Sequence, residues 1–376
     1  MHIKFIIGEA GTAKTTTLLR IQQNTNKKTV ALAFTHSACN NMIDKGMKRV
    51  KTLHSFFKIL PNTSFVNVSS LPDMLLIDEF SMIPLNLIFS IFSNVERYDK
   101  NKNKDTVIVL AGDLLQLPPI ENDENVNIKN LIVPDDIMLS LSDSKEIINT
   151  LARTIYSSDY YTKGDKLILT KNFRSNDSII KTLNEIFEIE EIKEMYDLKD
   201  LNKLSDYVFI SSTYENLRNI RKVLNLIPDV GFNTRIGKIN NVKNCILTEN
   251  TNDKFFNGDI VEIVDVNDEY IKIKKIIDGK EENVKIVKNE YNVYSLLPLN
   301  FLTVHYAQGR GFDNVCVCVD DLFELGMLYT AITRAKQNIK FITFKEKNEI
   351  NEKIKKNCEL FKILKQIIYK QQIKTT

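Results

Sequence analysis

No run of apolar residues in the 376-residue chain approaches the roughly 18 needed to cross a bilayer as a helix, so a membrane span is not expected. The first strand candidate opens at Ile3, which leaves no room for a secretory leader, and an intracellular setting is expected. Cysteine is scarce and unpatterned: Cys39, Cys245, Cys316, Cys318 and Cys358 form neither a zinc spacing nor a disulfide framework. Cys316 and Cys318 sit two apart in an apolar run, on one face of an expected strand, and read as small buried hydrophobes rather than metal ligands. A strong charge of either sign is missing too. The net charge of +3 comes from 51 basic and 48 acidic residues spread along the chain. That balance permits a polyanionic partner without arguing for one.

What is present is an ordered alternation. Apolar strand candidates at 3–7, 29–34, 74–78 and 106–111 alternate with helical stretches, which predicts a parallel sheet with helices on both faces. Residues 120–150 are polar and weakly periodic and read as a surface excursion. Strand and helix candidates resume at 208–210 and 213–227. Between 255 and 295 the character changes. Asn257-Gly258-Asp259 and Asp278-Gly279-Lys280 punctuate short β-rich runs, as in a small antiparallel barrel inserted into a second α/β unit. Further strands are expected at 314–319 and 338–343. From 346 to 370, Ile350, Ile354, Cys358, Phe361, Leu364 and Ile368 fall at helical spacing, predicting an amphipathic helix docked on the second lobe. With 43% hydrophobic residues, two or three domains with sizeable cores are expected.

Three segments carry chemistry. Gly8-Glu9-Ala10-Gly11-Thr12-Ala13-Lys14-Thr15, with Thr16 behind it, joins an apolar strand to a helix start. Such a loop aims successive backbone N–H groups and the positive end of a helix dipole at phosphate oxygens. Lys14 can reach the β- and γ-phosphates of a nucleoside triphosphate, and the Thr15 hydroxyl can ligate Mg²⁺. Ala13 stands where the usual pattern has glycine, and a methyl there can crowd the phosphate or the backbone. Leu75-Leu76-Ile77-Asp78-Glu79 is an apolar strand ending in two acids: Asp78 can hold the metal, and Glu79 can orient or deprotonate an attacking water. Val109–Pro119 is another strand ending at the same sheet edge, where Gln116 is placed to feel the γ-phosphate. Arg174 and Arg334 each lie in a mostly uncharged motif, and a guanidinium there can stabilise a phosphoryl transition state.

In order, the motifs are Gly8–Thr15, Phe34-Thr35-His36-Ser37-Ala38, Thr52-Leu53-His54-Ser55-Phe56, Asp78-Glu79, Gly112–Pro119, Phe173-Arg174-Ser175-Asn176, Thr303-Val304-His305-Tyr306-Ala307-Gln308-Gly309 and Tyr329–Arg334. This series resembles superfamily 1 helicases, specifically the RecD/Pif/Dda-like branch. The resemblance implies two RecA-like P-loop lobes, one over 1–176 and one over 177–376, with the β-rich insertion as a small SH3-like barrel. It implies ATP and Mg²⁺ as cofactors, single-stranded and partial-duplex DNA as partners, 5′-to-3′ movement, and function as a monomer in replication, recombination or repair. Residue by residue, it assigns Lys14 and Thr15 to phosphate and metal, Asp78 and Glu79 to metal and water, and Gln116 to γ-phosphate sensing. Arg174 and Arg334 become arginine fingers, and Gln308 and Gly309 a coupling element near the nucleotide. Thr35, His36, His54, Thr303 and His305 would line the strand channel. The sequence departs from the family at Ala13, at Tyr306 (where lysine is usual, although the ring could stack on a base), and in having no upstream glutamine motif to select adenine. Phe65 is the candidate for a strand-splitting pin. An RNA helicase of the same superfamily and a strand-binding module without turnover remain alternatives.

Overall fold

Parallel strands buried on both faces need helices to cover them, and the computed structural model of the chain builds two such layers. It describes residues 1–59, 70–119, 141–196, 201, 203–204, 206–228, 231–252, 254–267, 269–277, 280–322 and 324–373. Phe65, the Asp278-Gly279 turn and residues 120–140 of the expected surface excursion lie outside them. Contact density divides the chain into two units: 1–190 with 324–333 and 355–376, and 191–323 with 334–354. The expected boundary at 176 falls inside the first unit.

The first unit opens with β1 (His2–Gly8), α1 (Lys14–Asn24), β2 (Thr29–Ala33), α2 (His36–Asp44), β3 (Val50–Thr52) and α3 (Leu53–Phe57). It continues through β4 (Met74–Asp78), α4 (Leu85–Lys102), β5 (Val107–Gly112), α5 (Leu141–Ala152), α6 (Asp159–Lys163), β6 (Asp165–Leu169) and α7 (Asp177–Ile189). The strands form one parallel sheet in the order β3-β2-β4-β5-β1-β6. β5 is buried along its whole length, which explains why it reads as an unbroken apolar run. Leu18 of α1 and Met42 of α2 close one face over Ile6, Ala31, Ala33, Leu76 and Ala111. The order β4-β5-β1 brings the carboxyl ends of those strands side by side, and hence Asp78, Gly112 and Gly8 to one edge.

The second unit carries β7 (Val208–Ser211), α8 (Tyr214–Val223), β8 (Phe232–Thr234), β9 (Gly237–Ile239), β10 (Asn244–Leu247), β11 (Ile260–Val266), β12 (Ile271–Ile277), β13 (Lys280–Ile286) and β14 (Leu296–Pro298). After these come β15 (Phe301–Thr303), α9 (Val304–Ala307) and β16 (Phe312–Cys318). The chain then supplies α10 (Met327–Ile332) to the first unit, returns as β17 (Ala335–Ile342), and ends in α11 (Lys347–Ile373). β15-β7-β16-β17 is a parallel sheet, and β13-β12-β11-β10-β14 an antiparallel one with its own core of Cys245, Val261, Ile271, Ile273 and Tyr294. The β-rich insertion therefore runs from 244 to 298, wider than the expected 255–295, and its pairings among the described residues follow a line. All five cysteines are buried and free of disulfides; burial of Cys316 and Cys318 agrees with their reading as small hydrophobes. The expected C-terminal helix forms, but most of it, from residue 355, packs in the first unit rather than the second. There Phe361 meets Phe187 and Tyr329, with ring centroids 4.5 and 5.0 Å apart. No helix among the described residues is long and apolar enough to cross a membrane.

Candidate functional site

The phosphate-type loop begins where β1 ends. Gly11 takes a left-handed conformation (φ 83°), and so does Ala13 (φ 64°, ψ 28°), the residue that caps the start of α1. The alanine at the glycine position thus carries a backbone strain of about 1 kcal/mol. Thr12 donates its hydroxyl to the Glu9 carbonyl at 2.8 Å. The buried Lys14 ammonium folds over the loop and donates to the carbonyls of Gly8 and Glu9 at 2.7 and 2.9 Å.

Asp78, at the end of β4, is buried and accepts hydrogen bonds from the Thr15 hydroxyl and from the Glu79 N–H, the latter at 3.0 Å. Burial first, and the Glu79 charge second, raise its pKa above the usual carboxylate range; the Thr15 bond and Lys14 pull it back. Its Oδ2 is buried without a hydrogen-bond partner, as are Glu79 Oε2 and Ser81 Oγ. Glu79 itself holds a left-handed backbone (φ 51°). Hard, unsatisfied oxygens beside a threonine hydroxyl fit Mg²⁺, which takes one or two protein oxygens and completes its shell with water and phosphate. Thr15 and Asp78 are the residues that would hold it. Among the described residues no group of three His, Cys, Asp or Glu side chains forms an all-protein metal cage.

Asp113 follows β5 and is buried at the centre of a network that the spacing argument missed. Its carboxylate accepts from the Gln116 amide at 3.1 Å and from the Tyr329 hydroxyl at 3.0 Å. That hydroxyl in turn accepts the Ala10 N–H at 3.0 Å, so one phenol ties the phosphate loop to the strand end. Burial raises the Asp113 pKa; the Lys14 charge and the hydrogen bonds oppose it. Thr330, one residue on, accepts the Leu117 N–H at 3.1 Å. The expected sensor Gln116 therefore has its amide anchored on Asp113.

Arg174 joins the same unit through its backbone. Asn172 Oδ1 accepts from the Arg174 and Ser175 N–H groups at 2.9 and 3.2 Å, while its Nδ2 donates to the Ala10 carbonyl at 2.9 Å. Phe173 N–H adds a bond to the Gly11 carbonyl at 2.8 Å. Lys45, at the end of α2, is a cation the sequence did not single out. Its pKa is lowered, by burial first, and its ammonium feels the charges of Asp78, Arg174, Glu79 and Lys14. Lys365 of α11 pairs with Glu9 at 2.5 Å, and Tyr156 donates to the Ile367 carbonyl at 2.9 Å.

The remaining expected residues occupy two places. In the first unit, Thr35 caps α2 by accepting the Ala38 N–H at 3.2 Å, and His54 packs its ring 5.4 Å from Phe34, with burial lowering its pKa. His36 is the first residue of α2. In the second unit, Thr303 caps α9 by accepting the Tyr306 N–H at 3.5 Å, and His305 lies within that helix. Tyr306 is half-buried and donates its hydroxyl to the Thr248 carbonyl at 3.1 Å. Gln308 is buried, and Gly309 takes φ 72°. Arg334 is buried in the second unit and donates to the Arg310 carbonyl at 3.1 Å.

Two family models match the chain: an AAA domain over residues 1–122, and the viral superfamily 1 RNA helicase core domain over 239–343. No curated protein matches the sequence. Among solved structures, Bacteroides Pif1 bound to single-stranded DNA aligns at 19% identity and a TM-score of 0.57, over 92% of this chain and 90% of that one. Candida albicans Pif1 aligns at 18% identity and a TM-score of 0.54, over 96% and 95%. Bacteroides Pif1 in complex with ADP-AlF3 and single-stranded DNA gives 19% identity and a TM-score of 0.55, over 92% and 90%. Over most of its length the chain shares the fold of these Pif1 structures, and its residues 239–343 match the superfamily 1 helicase core model.

Proposed function

We propose that the protein is an ATP-driven DNA helicase in which single-stranded DNA stimulates hydrolysis and movement runs 5′ to 3′. The observation that carries this reading is the buried Thr15–Asp78 pair, with its orphaned carboxylate oxygen, beside Lys14 on the loop after β1. Lys14 and the loop N–H groups bind the triphosphate, and Thr15 and Asp78 would hold Mg²⁺, which would supply positive charge against that of the phosphates. Glu79 orients the attacking water and accepts its proton. Gln116 responds to the γ-phosphate, and Arg174 and Arg334 stabilise the transferred phosphoryl charge. Gln308 and Gly309 are assigned to coupling. Thr35, His36, His54, Thr303 and His305 contact phosphate and sugar, which suits a motor that must pass over any sequence. A monomer acting in replication, recombination or repair completes the reading.

The test is hydrolysis with Mg²⁺ and oligo-dT, followed by unwinding of partial duplexes with either a 5′ or a 3′ tail. Stimulated phosphate release and unwinding from the 5′ tail are expected. Unstimulated hydrolysis, or none, overturns the proposal. Lys14→Ala should abolish turnover and spare strand binding. One finding favours RNA instead: the match of residues 239–343 to the viral RNA helicase core domain. Stimulation by oligo-U that exceeds oligo-dT of equal length would decide for that reading.

A further inference from the structure

An aromatic stack in the second unit belongs to none of the motifs. The Arg235 guanidinium lies over both rings, 5.4 Å from the Tyr214 ring centroid and 5.8 Å from that of Tyr291. Glu249 pins it, Oε1 to Nη2 at 3.2 Å, and also accepts Ser295 Oγ at 2.6 Å and Asn289 Nδ2 at 3.1 Å. Asn289 Oδ1 then accepts the Tyr291 N–H at 3.0 Å, and Asn289 N–H donates to the Val293 carbonyl at 2.9 Å. One carboxylate and one amide thus hold the guanidinium and the Tyr291 loop together. At the inner end, Tyr214 is hydrogen-bonded to Tyr306, the residue after His305. At the outer end, Tyr291 is 67% exposed.

A large aromatic ring left in solvent on a loop this firmly ordered has a face to offer. We propose that Tyr291, backed by Arg235 and Tyr214, is a stacking site for an unpaired base of a single nucleic-acid strand. The proposal rests on the reading of Thr303 and His305 as strand contacts, because the stack continues outward from that segment. Ring stacking is tolerant of base identity, as a motor requires. Glu249 neutralises the guanidinium, so the contribution comes from the ring face and not from attraction to phosphate.

The experiment titrates the full chain, with Tyr291→Ala and Tyr291→Phe, against fluorescein-labelled oligo-dT and a matched abasic strand by anisotropy. Tyr291 is exposed, so neither substitution threatens the fold. The expected result is an oligo-dT Kd about 5- to 30-fold weaker for Tyr291→Ala, and within about 2-fold of wild type for Tyr291→Phe. The abasic strand should bind wild type and Tyr291→Ala alike, and the slope of log K against log salt should not change. Wild-type binding that Tyr291→Ala leaves intact overturns the stacking site while strand binding stands, and assigns the face to another partner. A wild type that binds no strand overturns both.

Discussion

Ala13 is the residue where sequence and backbone pull against each other. Its left-handed conformation suits glycine, so Ala13→Gly is expected to stabilise the protein by about 1 kcal/mol, read as a higher denaturant midpoint. Asp78 carries the opposite lesson, since its strain is electrostatic. Its folded pKa lies above the unfolded one, so the folded state binds its proton more tightly and loses stability as pH climbs from the ordinary carboxylate value through the folded one. Asp78→Asn should therefore raise the melting temperature of metal-free protein by about 2–5 °C near pH 7 and by less near pH 4, while ending turnover. Equal effects at both pH values would remove the charge argument. At Tyr329 the hydroxyl alone is at stake. Tyr329→Phe keeps the packing on Phe361 but orphans the Ala10 N–H and leaves Asp113 Oδ2 with the Gln116 amide, with an expected cost of about 1–3 kcal/mol in chemical denaturation.

Among the elements, α11 is the one whose place the sequence misled. Its apolar positions at helical spacing announced an amphipathic helix, and the helix forms. Periodicity names the face that will be buried and is silent on what buries it. Phe361 packs between Phe187 and Tyr329 in the first unit, so Phe361→Ala is expected to cost about 3–5 kcal/mol there. A loss below about 1 kcal/mol would show that the helix docks only loosely. Strand ends were easier to read. β1, β4 and β5 are apolar runs closed by Gly8, Asp78 and Gly112-Asp113, and parallel pairing lines those ends up without further information. Turn signals announce the antiparallel sheet but understate its length, because β10 and β14 are brief strands that only the pairing of β10 with β11 and with β14 reveals.

For the whole molecule, the charge balance sets an expectation. With 51 basic against 48 acidic residues, and strand contacts assigned mostly to hydroxyl and imidazole groups, few counterions should be released on binding. The slope of log K for oligo-dT against log salt is expected to be shallow, about −1 to −3; a slope steeper than about −5 would point to a lysine- or arginine-lined path. By itself the sequence determined the chemistry that is local along the chain: Lys14, Thr15, Asp78 and Glu79 announce themselves because strand, loop and helix start must follow one another within a few residues. The tertiary structure alone decided who braces that chemistry. Asn172 and Tyr329 reach Ala10 from 162 and 319 residues away, and Lys365 reaches Glu9 from the last helix. Contacts across such separations leave no period or spacing to read, since they exist only once the sheet has ordered its strands and the helices have closed over it.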